Sequence, residues 1–488
     1  MPKTAVSQYD SLDVSTLLQH SLDEVVTHSY VKRISLPNSK KTLALITLDN
    51  GKDHTRPNTL GPHSLVELRA TLLELREEAR SGSLGAVAIT GNPFILAAGA
   101  DLSKVGDIPD VITGLAMVQL GHQTLGLLGE LGVPSFCFIN GLALGGGLEI
   151  ALNCDYRALS SAAAALALPE VFLGLIPGWG GAWLLPNLIG IKNALTVMVE
   201  NPLKTNRTLK PAGALELGIA DVMFPPARYL EDSLAWADRV VAGKITVKRP
   251  NEPGKIERAT LWPAAINVAR KSLREKLGTV ARSPYVALDL MLAAKSSTKA
   301  QGFAAEDAAL AELIAGDQFR ASIYAFMLVQ KRQKVTPGAP DKEHALPLTK
   351  VGVVGGGLMA RQFALEIVRR LEVPVVISDI SRERVDAATE WMRDELSTLH
   401  HKGRLHTDQL QKLSALIEGA TDMAAFSDCD LVIEAVFEEL SVKKQVFTEL
   451  EKHVREDAIL ASNTSSLAIA DIASALKHPE RMVGIHFF

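Results

Sequence analysis

The stretch Val133 to Asp155, VPSFCFINGLALGGGLEIALNCD, constrains the first half of this chain more than any other. Ser135 to Ile139 is a short apolar run after Gly-Val-Pro, which reads as a buried strand. Gly145, Gly146 and Gly147 make a turn without side chains, and Glu149 to Leu152 opens a run of helix formers. A strand that feeds a glycine turn into a helix start collects free backbone N–H groups and the positive end of a dipole at one point. Such a point suits an anion, or an oxygen that becomes anionic during a reaction. Glu149 stands beside it in apolar surroundings, where a lone carboxylate is costly without a partner or a task. The stretch is nearly long enough to cross a membrane, but Asn140, Glu149, the three glycines and Pro134 argue against that. On spacing alone, a glycine turn that only lets a helix approach a sheet, with Glu149 paired structurally, is the plain alternative.

A chain of 488 residues has room for about three domains. The net charge of −4 gives no electrostatic footprint for nucleic acid. The three cysteines, Cys137, Cys154 and Cys429, stand far apart in apolar runs without metal-ligand spacing, which implies core packing in a reducing compartment. The N-terminal MPKTAVSQYD lacks the apolar core of a secretory signal, so a cytoplasmic protein is expected.

In chain order, residues 1–40 read as a polar peripheral extension and Thr42 to Leu48 as the first strand. Ser64 and Glu67 are placed as a capping box opening an amphipathic helix. Gly85 to Thr90 is a second buried strand, and PFILAAGADL runs into a turn that presents the Ala100 N–H before a helix start. Glu170 follows Pro169 in a second glycine-rich turn ending in PGWGG. Short apolar strands alternating with amphipathic helices imply an α/β fold. Beyond Asp221 the strand signal fades, with helices expected over 229–243, 256–295 and 303–332 and a linker over 335–347.

The character then changes. The strand Lys350 to Val354 runs into Gly355, Gly357 and Ala360 as G-x-G-x-x-A, a helix follows, and a second strand ends at Asp379, 24 residues past Gly355. That context points to a dinucleotide: the glycines admit a diphosphate at the helix N-terminus, and Asp379 accepts from a ribose 2′-OH, which favours NAD over NADP. Further strand ends carry Glu434 and Glu438, the hydroxyl cluster Ser462 to Ser466, and His486, a natural general base for an alcohol.

These motifs resemble two families joined in one chain. FILAAGADL, NGLALGGGLEIALNCD, PEVFLGLIPGWGG and the A-x-E-L-G-I-A-D of 214–221 resemble the enoyl-CoA hydratase/isomerase (crotonase) family. VGVVGGGLMA, DLVIEAVFE, ASNTSSL and GIHFF resemble the NAD-binding domain of L-3-hydroxyacyl-CoA dehydrogenases, and the order is similar to multifunctional α subunits of fatty-acid β-oxidation. The resemblance implies an N-terminal extension (1–40), a crotonase-like ββα-repeat domain (41–226), a helical linker region (227–347) and a Rossmann NAD-binding domain (348–488). It implies an oxyanion hole at Ala100 and Gly146 and catalytic carboxylates at Glu149 and Glu170. It implies cofactor-side roles for Gly355, Gly357, Asp379, Glu438, Lys443 and Asn463, a substrate-side hydroxyl at Ser465 and a catalytic base at His486. Substrates would be acyl thioesters of coenzyme A and the cofactor NAD; a thiolase β subunit and a homo-oligomer are compatible partners. The loop with Lys52 and Arg56 resembles the CoA-binding region.

Two departures stand out: Ala182-Trp183-Leu184 replaces the usual Thr-Gln-Arg, and Glu438-Glu439 the usual Glu-Asn. The glutamate that orients the base in the family, about a dozen residues beyond His486, is not in the sequence, so the dehydrogenase half is expected to be inactive in this chain. An isomerase of unsaturated acyl-CoA and a non-catalytic acyl-CoA-binding scaffold remain the alternatives.

Overall fold

In a computed structural model of the protein, residues 14–52, 56–92, 94–101, 108, 110–249, 251–334, 338 and 342–487 are described. The chain divides into two units, Met1–Pro337 and Gly338–Phe488.

In the first unit the described strands are β1 (His28–Leu36), β2 (Lys41–Asp49), β3 (Ala86–Gly91), β4 (Ile95–Ala97), β5 (Ser135–Ile139), β6 (Leu142–Leu144), β7 (Tyr156–Ser160), β8 (Leu166–Ala167) and β9 (Val222–Phe224). They form a long sheet, β1-β2-β3-β5-β7-β9, and a short one, β4-β6-β8. All neighbours are parallel except the β1–β2 hairpin. β3 and β5 are buried on both faces, which is why they read as unbroken apolar runs. The β5–β6 pair leads into the helix Gly146–Asn153, so one ββα step puts the glycine turn at the end of the short sheet.

The sheet corrects the expected extension over 1–40. β1 pairs with β2 in continuous register from His28↔Asp49 to Leu36↔Lys41, and Leu17 is buried in the core. As an edge strand covered on one side, β1 carries polar residues at most positions, so it looked peripheral. The helix Pro62–Arg80 also starts differently: Ser64 lies inside it, and Glu24 accepts the His63 and Ser64 N–H groups at 2.8 and 3.0 Å in place of a local capping box. The helix start expected after Asp101 falls on 102–107, outside the described residues.

The region 227–347 is not a linker in packing terms. Its helices Lys255–Leu277, Ser283–Ala293, Lys299–Ile314 and Asp317–Lys334 belong to the first unit, and Trp262, Ile266, Met291 and Phe319 are fully buried in its main core. Their Ala- and Leu-rich sequence lacked strand signals, and the apolar positions that join them to the sheets could not be told from helix–helix contacts.

The second unit holds β10 (Val351–Val354), β11 (Val375–Ser378), β12 (Ile417–Ala420), β13 (Leu431–Glu434), β14 (Ile459–Ser462) and β15 (Met482–Gly484), in the order β12-β11-β10-β13-β14-β15. All pairs are parallel. This is the doubly wound dinucleotide-binding order, with its switch point between β10 and β13.

Trp262→Ala should cost the first unit about 3–5 kcal/mol through the cavity it leaves. A urea titration following the first unit should show a clearly lower midpoint; an unchanged midpoint would mean that these helices are not part of its core.

Candidate active site

The glycine turn opens with Gly145 at φ +52°, a conformation that disfavours any side chain. Glu170 Oε1 would lie 2.6 Å from a Cβ there, so the missing side chain also makes room for that carboxylate. The turn aims the N-terminus of the helix Gly146–Asn153 at a small pocket of about 110 Å³. Ala100, Gly146, Glu149 and Glu170 all line this pocket, with Met117, Leu173, Trp179 and Leu310 as apolar walls. Neither the Ala100 N–H nor the Gly146 N–H has a partner among the described residues. The two turns touch: a Cβ on Gly99 would come within 2.8 Å of the Gly146 nitrogen.

Glu149 is 2% exposed, and its Oε1 accepts the N–H groups of Trp179 and Gly181 at 2.7 and 2.8 Å. These N–H groups stand at the start of the helix Gly181–Ile189, whose positive end meets the carboxylate. Asn153 ties the same parts together by donating to the carbonyls of Glu149 and Trp179. Burial, and next the Glu306 carboxylate, raise Glu149 to about 7 despite the two N–H bonds. Glu170 follows β8; its Oε2 is buried without a hydrogen-bond partner among the described residues. Burial, then the charge of Glu149, push Glu170 well above the usual carboxylate range.

Sequence reasoning missed three residues behind this pocket. Glu306 is 1% exposed and accepts from Gly180 N–H at 2.9 Å and Trp183 N–H at 2.8 Å. His122 Nδ1 lies 2.5 Å from Asp307, and its Nε2 forms an ion pair with Glu306 at 3.4 Å. Burial alone would lower His122, but Asp307 and Glu306 outweigh it and raise it to about 9. The only sequence signal was an acid pair, Glu306-Asp307, inside an otherwise apolar helical stretch.

In the second unit Gly355, Gly357, Asp379 and Asn463 line one pocket of about 470 Å³ at the switch point. Gly355 has φ +115°, and a Cβ there would meet the Ala435 carbonyl oxygen at 2.6 Å. A Cβ at Gly357 would meet no protein atom, so that glycine keeps space open at the N-terminus of the helix Leu358–Leu371. The residues fit an NAD diphosphate there, with Asp379 at the end of β11 for the ribose. Asp379 accepts the Gly356 N–H at 2.8 Å and lies 3.6 Å from Arg384, while Arg382 pairs with Asp386.

The other expected residues are placed around this pocket. Lys443 is buried between Glu434 (2.7 Å) and Glu438 (3.2 Å), beneath the site and not in it. Ser462 donates to the second oxygen of Glu434 at 2.6 Å. Glu438 accepts the Ser465 N–H at 3.0 Å; against a desolvation push, bonds from Thr464 and Lys443 hold its carboxylate at about 2. His486 is exposed just past β15, and the next residue, Phe487, donates to Asn463 Oδ1 at 3.2 Å.

Residues 38–251 match the family model for enoyl-CoA hydratase/isomerase, and residues 350–488 that for the NAD-binding domain of 3-hydroxyacyl-CoA dehydrogenase. The chain joins a crotonase-family domain to a 3-hydroxyacyl-CoA dehydrogenase NAD-binding domain. Similar solved structures include M. tuberculosis FadB2, at 36% identity over 29% of this chain and 50% of that one, with a TM-score of 0.28. (S)-3-hydroxybutyryl-CoA dehydrogenase PaaH1 from Ralstonia eutropha is 31% identical over 29% of this chain and 50% of its own, with a TM-score of 0.28. An enoyl-CoA hydratase from Bacillus anthracis is 25% identical over 52% of this chain and 90% of its own, with a TM-score of 0.38. The chain thus spans half the length of FadB2 and half that of PaaH1.

The titrating groups of the crotonase-family unit give a signed expectation. Glu149, Glu170 and Glu306 are raised above 4.5 and His122 above 6.5 in the folded state. A raised group contributes stability that is present below its unfolded value and lost as pH climbs through its folded one. Thermal melting of this unit should therefore fall from pH 4.5 to about 9, the values that bracket Glu149 and His122; a rising melting temperature over that range would contradict the assignment. Glu434→Ala should destabilise the second unit by about 3 kcal/mol, because it leaves the buried Lys443 ammonium with only the partly exposed Glu438 carboxylate; a denaturation midpoint equal to wild type would show that the pair is not buried as described.

Proposed function

We propose that the crotonase-family domain adds water to trans-2-enoyl-CoA, giving L-3-hydroxyacyl-CoA. The observation that carries this reading is the convergence on one pocket of two buried carboxylates and two N–H groups without a partner among the described residues. The thioester oxygen accepts from Ala100 and Gly146, so that negative charge passing onto it during addition is stabilised by donors already in place. The carboxyl groups divide the proton work because their surroundings differ: Glu149 accepts two backbone N–H groups, and Glu170 has a buried oxygen that accepts none among the described residues. Glu149, near 7, is ionised often enough to take a proton from water as its oxygen bonds to C3. Glu170, whose buried Oε2 has no hydrogen-bond partner among the described residues and whose carboxyl is pushed up by burial and then by the charge of Glu149, keeps a proton to deliver to C2. The C2=C3 bond becomes a single bond and the thioester carbonyl is restored.

The NAD-binding domain supplies the cofactor half of the next step, oxidation of the 3-hydroxyl to a ketone in the complete protein. NAD, when bound, accepts the hydride. This chain orients the cofactor through Gly355, Gly357 and Asp379, and places His486 near Asn463, where it can accept the hydroxyl proton. Residues 1–488 are expected to bind NADH through this pocket, which a fluorescence titration reads directly. The 3-ketoacyl-CoA product is a substrate for thiolytic cleavage, so a thiolase β subunit is the partner this reading implies.

Loss of the conjugated-thioester absorbance of crotonyl-CoA tests the first step. Glu149→Gln and Glu170→Gln should each lower kcat by about 10²–10⁴-fold with melting temperature kept or raised. Folded wild-type protein that leaves crotonyl-CoA unchanged would refute the reading. Asp379→Ala should weaken NADH binding at least tenfold by fluorescence titration; equal affinity would remove Asp379 from the ribose site.

A further inference from the structure

The helix Lys299–Ile314 lies outside both family-matched stretches, 38–251 and 350–488. It nevertheless closes the hydratase pocket, where Leu310 and Ile314 are walls. It also seats directly on the PGWGG turn. A Cβ on Gly178 would come within 1.9 Å of Leu310, and one on Gly180 within 2.8 Å of Phe303. Four backbone N–H groups of that turn are divided between two carboxylates. Glu149 takes Trp179 and Gly181 from one side. Glu306 takes Gly180 and Trp183 from the other. Behind Glu306, His122 bridges to Asp307 and stacks on Phe303 at 4.3 Å between ring centres.

We propose that Glu306, backed by His122 and Asp307, is a positioning residue for hydration: it clamps the 179–183 turn from behind and so holds the Glu149 carboxylate in its working place and charge state. The catalytic part of this proposal rests on the hydratase reading above; the clamp itself rests on the hydrogen bonds alone.

The physical case is one of competing charges. A single buried carboxylate could be stabilised by the start of the helix Gly181–Ile189; a second of like charge bonded to the same turn makes ionisation of both costly. The groups facing Glu149 are Glu170 across the pocket, the positive helix end, Glu306 beyond the turn, and His122 with Asp307 behind that. Glu306 opposes ionisation of Glu149, and the His122 cation favours it. Packing alone would be met by apolar residues of the same volume, without an acid pair and a cation in the core.

The two charges act on Glu149 with opposite signs, and this decides the test. Infrared carboxyl titration of the full chain, with Glu149→Gln subtracted, reads the Glu149 midpoint directly. Glu306→Gln should lower that midpoint by about half a pH unit or more, a threefold change in the ionisation constant, and His122→Gln should raise it. Glu306→Asp keeps the charge but shortens the reach: the midpoint should stay near wild type while kcat for crotonyl-CoA falls by about tenfold or more and KM changes little. The acid limb of kcat/KM should follow the infrared midpoints. Shifts of the same sign in Glu306→Gln and His122→Gln, or lower melting temperatures with an unmoved midpoint, would overturn the proposal. Opposite shifts in a protein that does not hydrate crotonyl-CoA would leave the clamp standing and remove the hydratase reading.

Discussion

The first unit depends on how four backbone N–H groups are satisfied at the head of one helix. Residues 179–183 lie in a dry interior, where unmet donors are expensive. Glu149 and Glu306 meet them from opposite sides. Most of what surrounds the site follows from that arrangement. Glu149 sits on the helix that begins at the glycine turn, so fixing its carboxylate also fixes the Gly146 N–H beside it. Glu306 sits on a helix that must stay docked for its bonds to exist, so the helices after residue 255 belong to the hydratase unit. The His122 cation then compensates a cluster that would otherwise hold like charges only.

The same physics explains a site that works by difference. The N–H groups of Ala100 and Gly146, without partners among the described residues, face an apolar-walled pocket and are best satisfied when an oxygen gains charge there. Two carboxyl groups in one pocket cannot both be readily ionised, and the partner bonds differ: Glu149 has two N–H donors, while Glu170 keeps a buried oxygen without one among the described residues. On the proposed hydration, that inequality is what separates the base from the acid. In the second unit the division is similar in kind. Glu434 and Lys443 pair in the buried interior, and a Cβ at Gly357 would meet open space.

The sequence made some of this legible and hid the rest for identifiable reasons. The glycine turns were readable because φ +52° at Gly145 and φ +115° at Gly355 leave few alternatives to glycine. The parallel strands were readable as apolar runs, since both faces are covered. Asp379 followed from its distance to the glycine motif. By contrast, β1 alternates polar residues at an exposed edge and looked like an extension. Glu306 is 126 residues from the N–H that it accepts, and no local pattern encodes such a pairing. Lys443 was placed on the cofactor side by resemblance, and its burial between two carboxylates is a pairing that no local pattern announces.

The central claim is that Ala100 and Gly146 bind the thioester oxygen while Glu149 and Glu170 face C3 and C2. A crystal structure of the Glu149→Gln protein with a bound enoyl-CoA tests it most directly. The account predicts the thioester oxygen at about 2.7–3.2 Å from both backbone nitrogens, with Glu170 against C2. A thioester oxygen that contacts neither nitrogen, with the acyl chain outside this pocket, would contradict it.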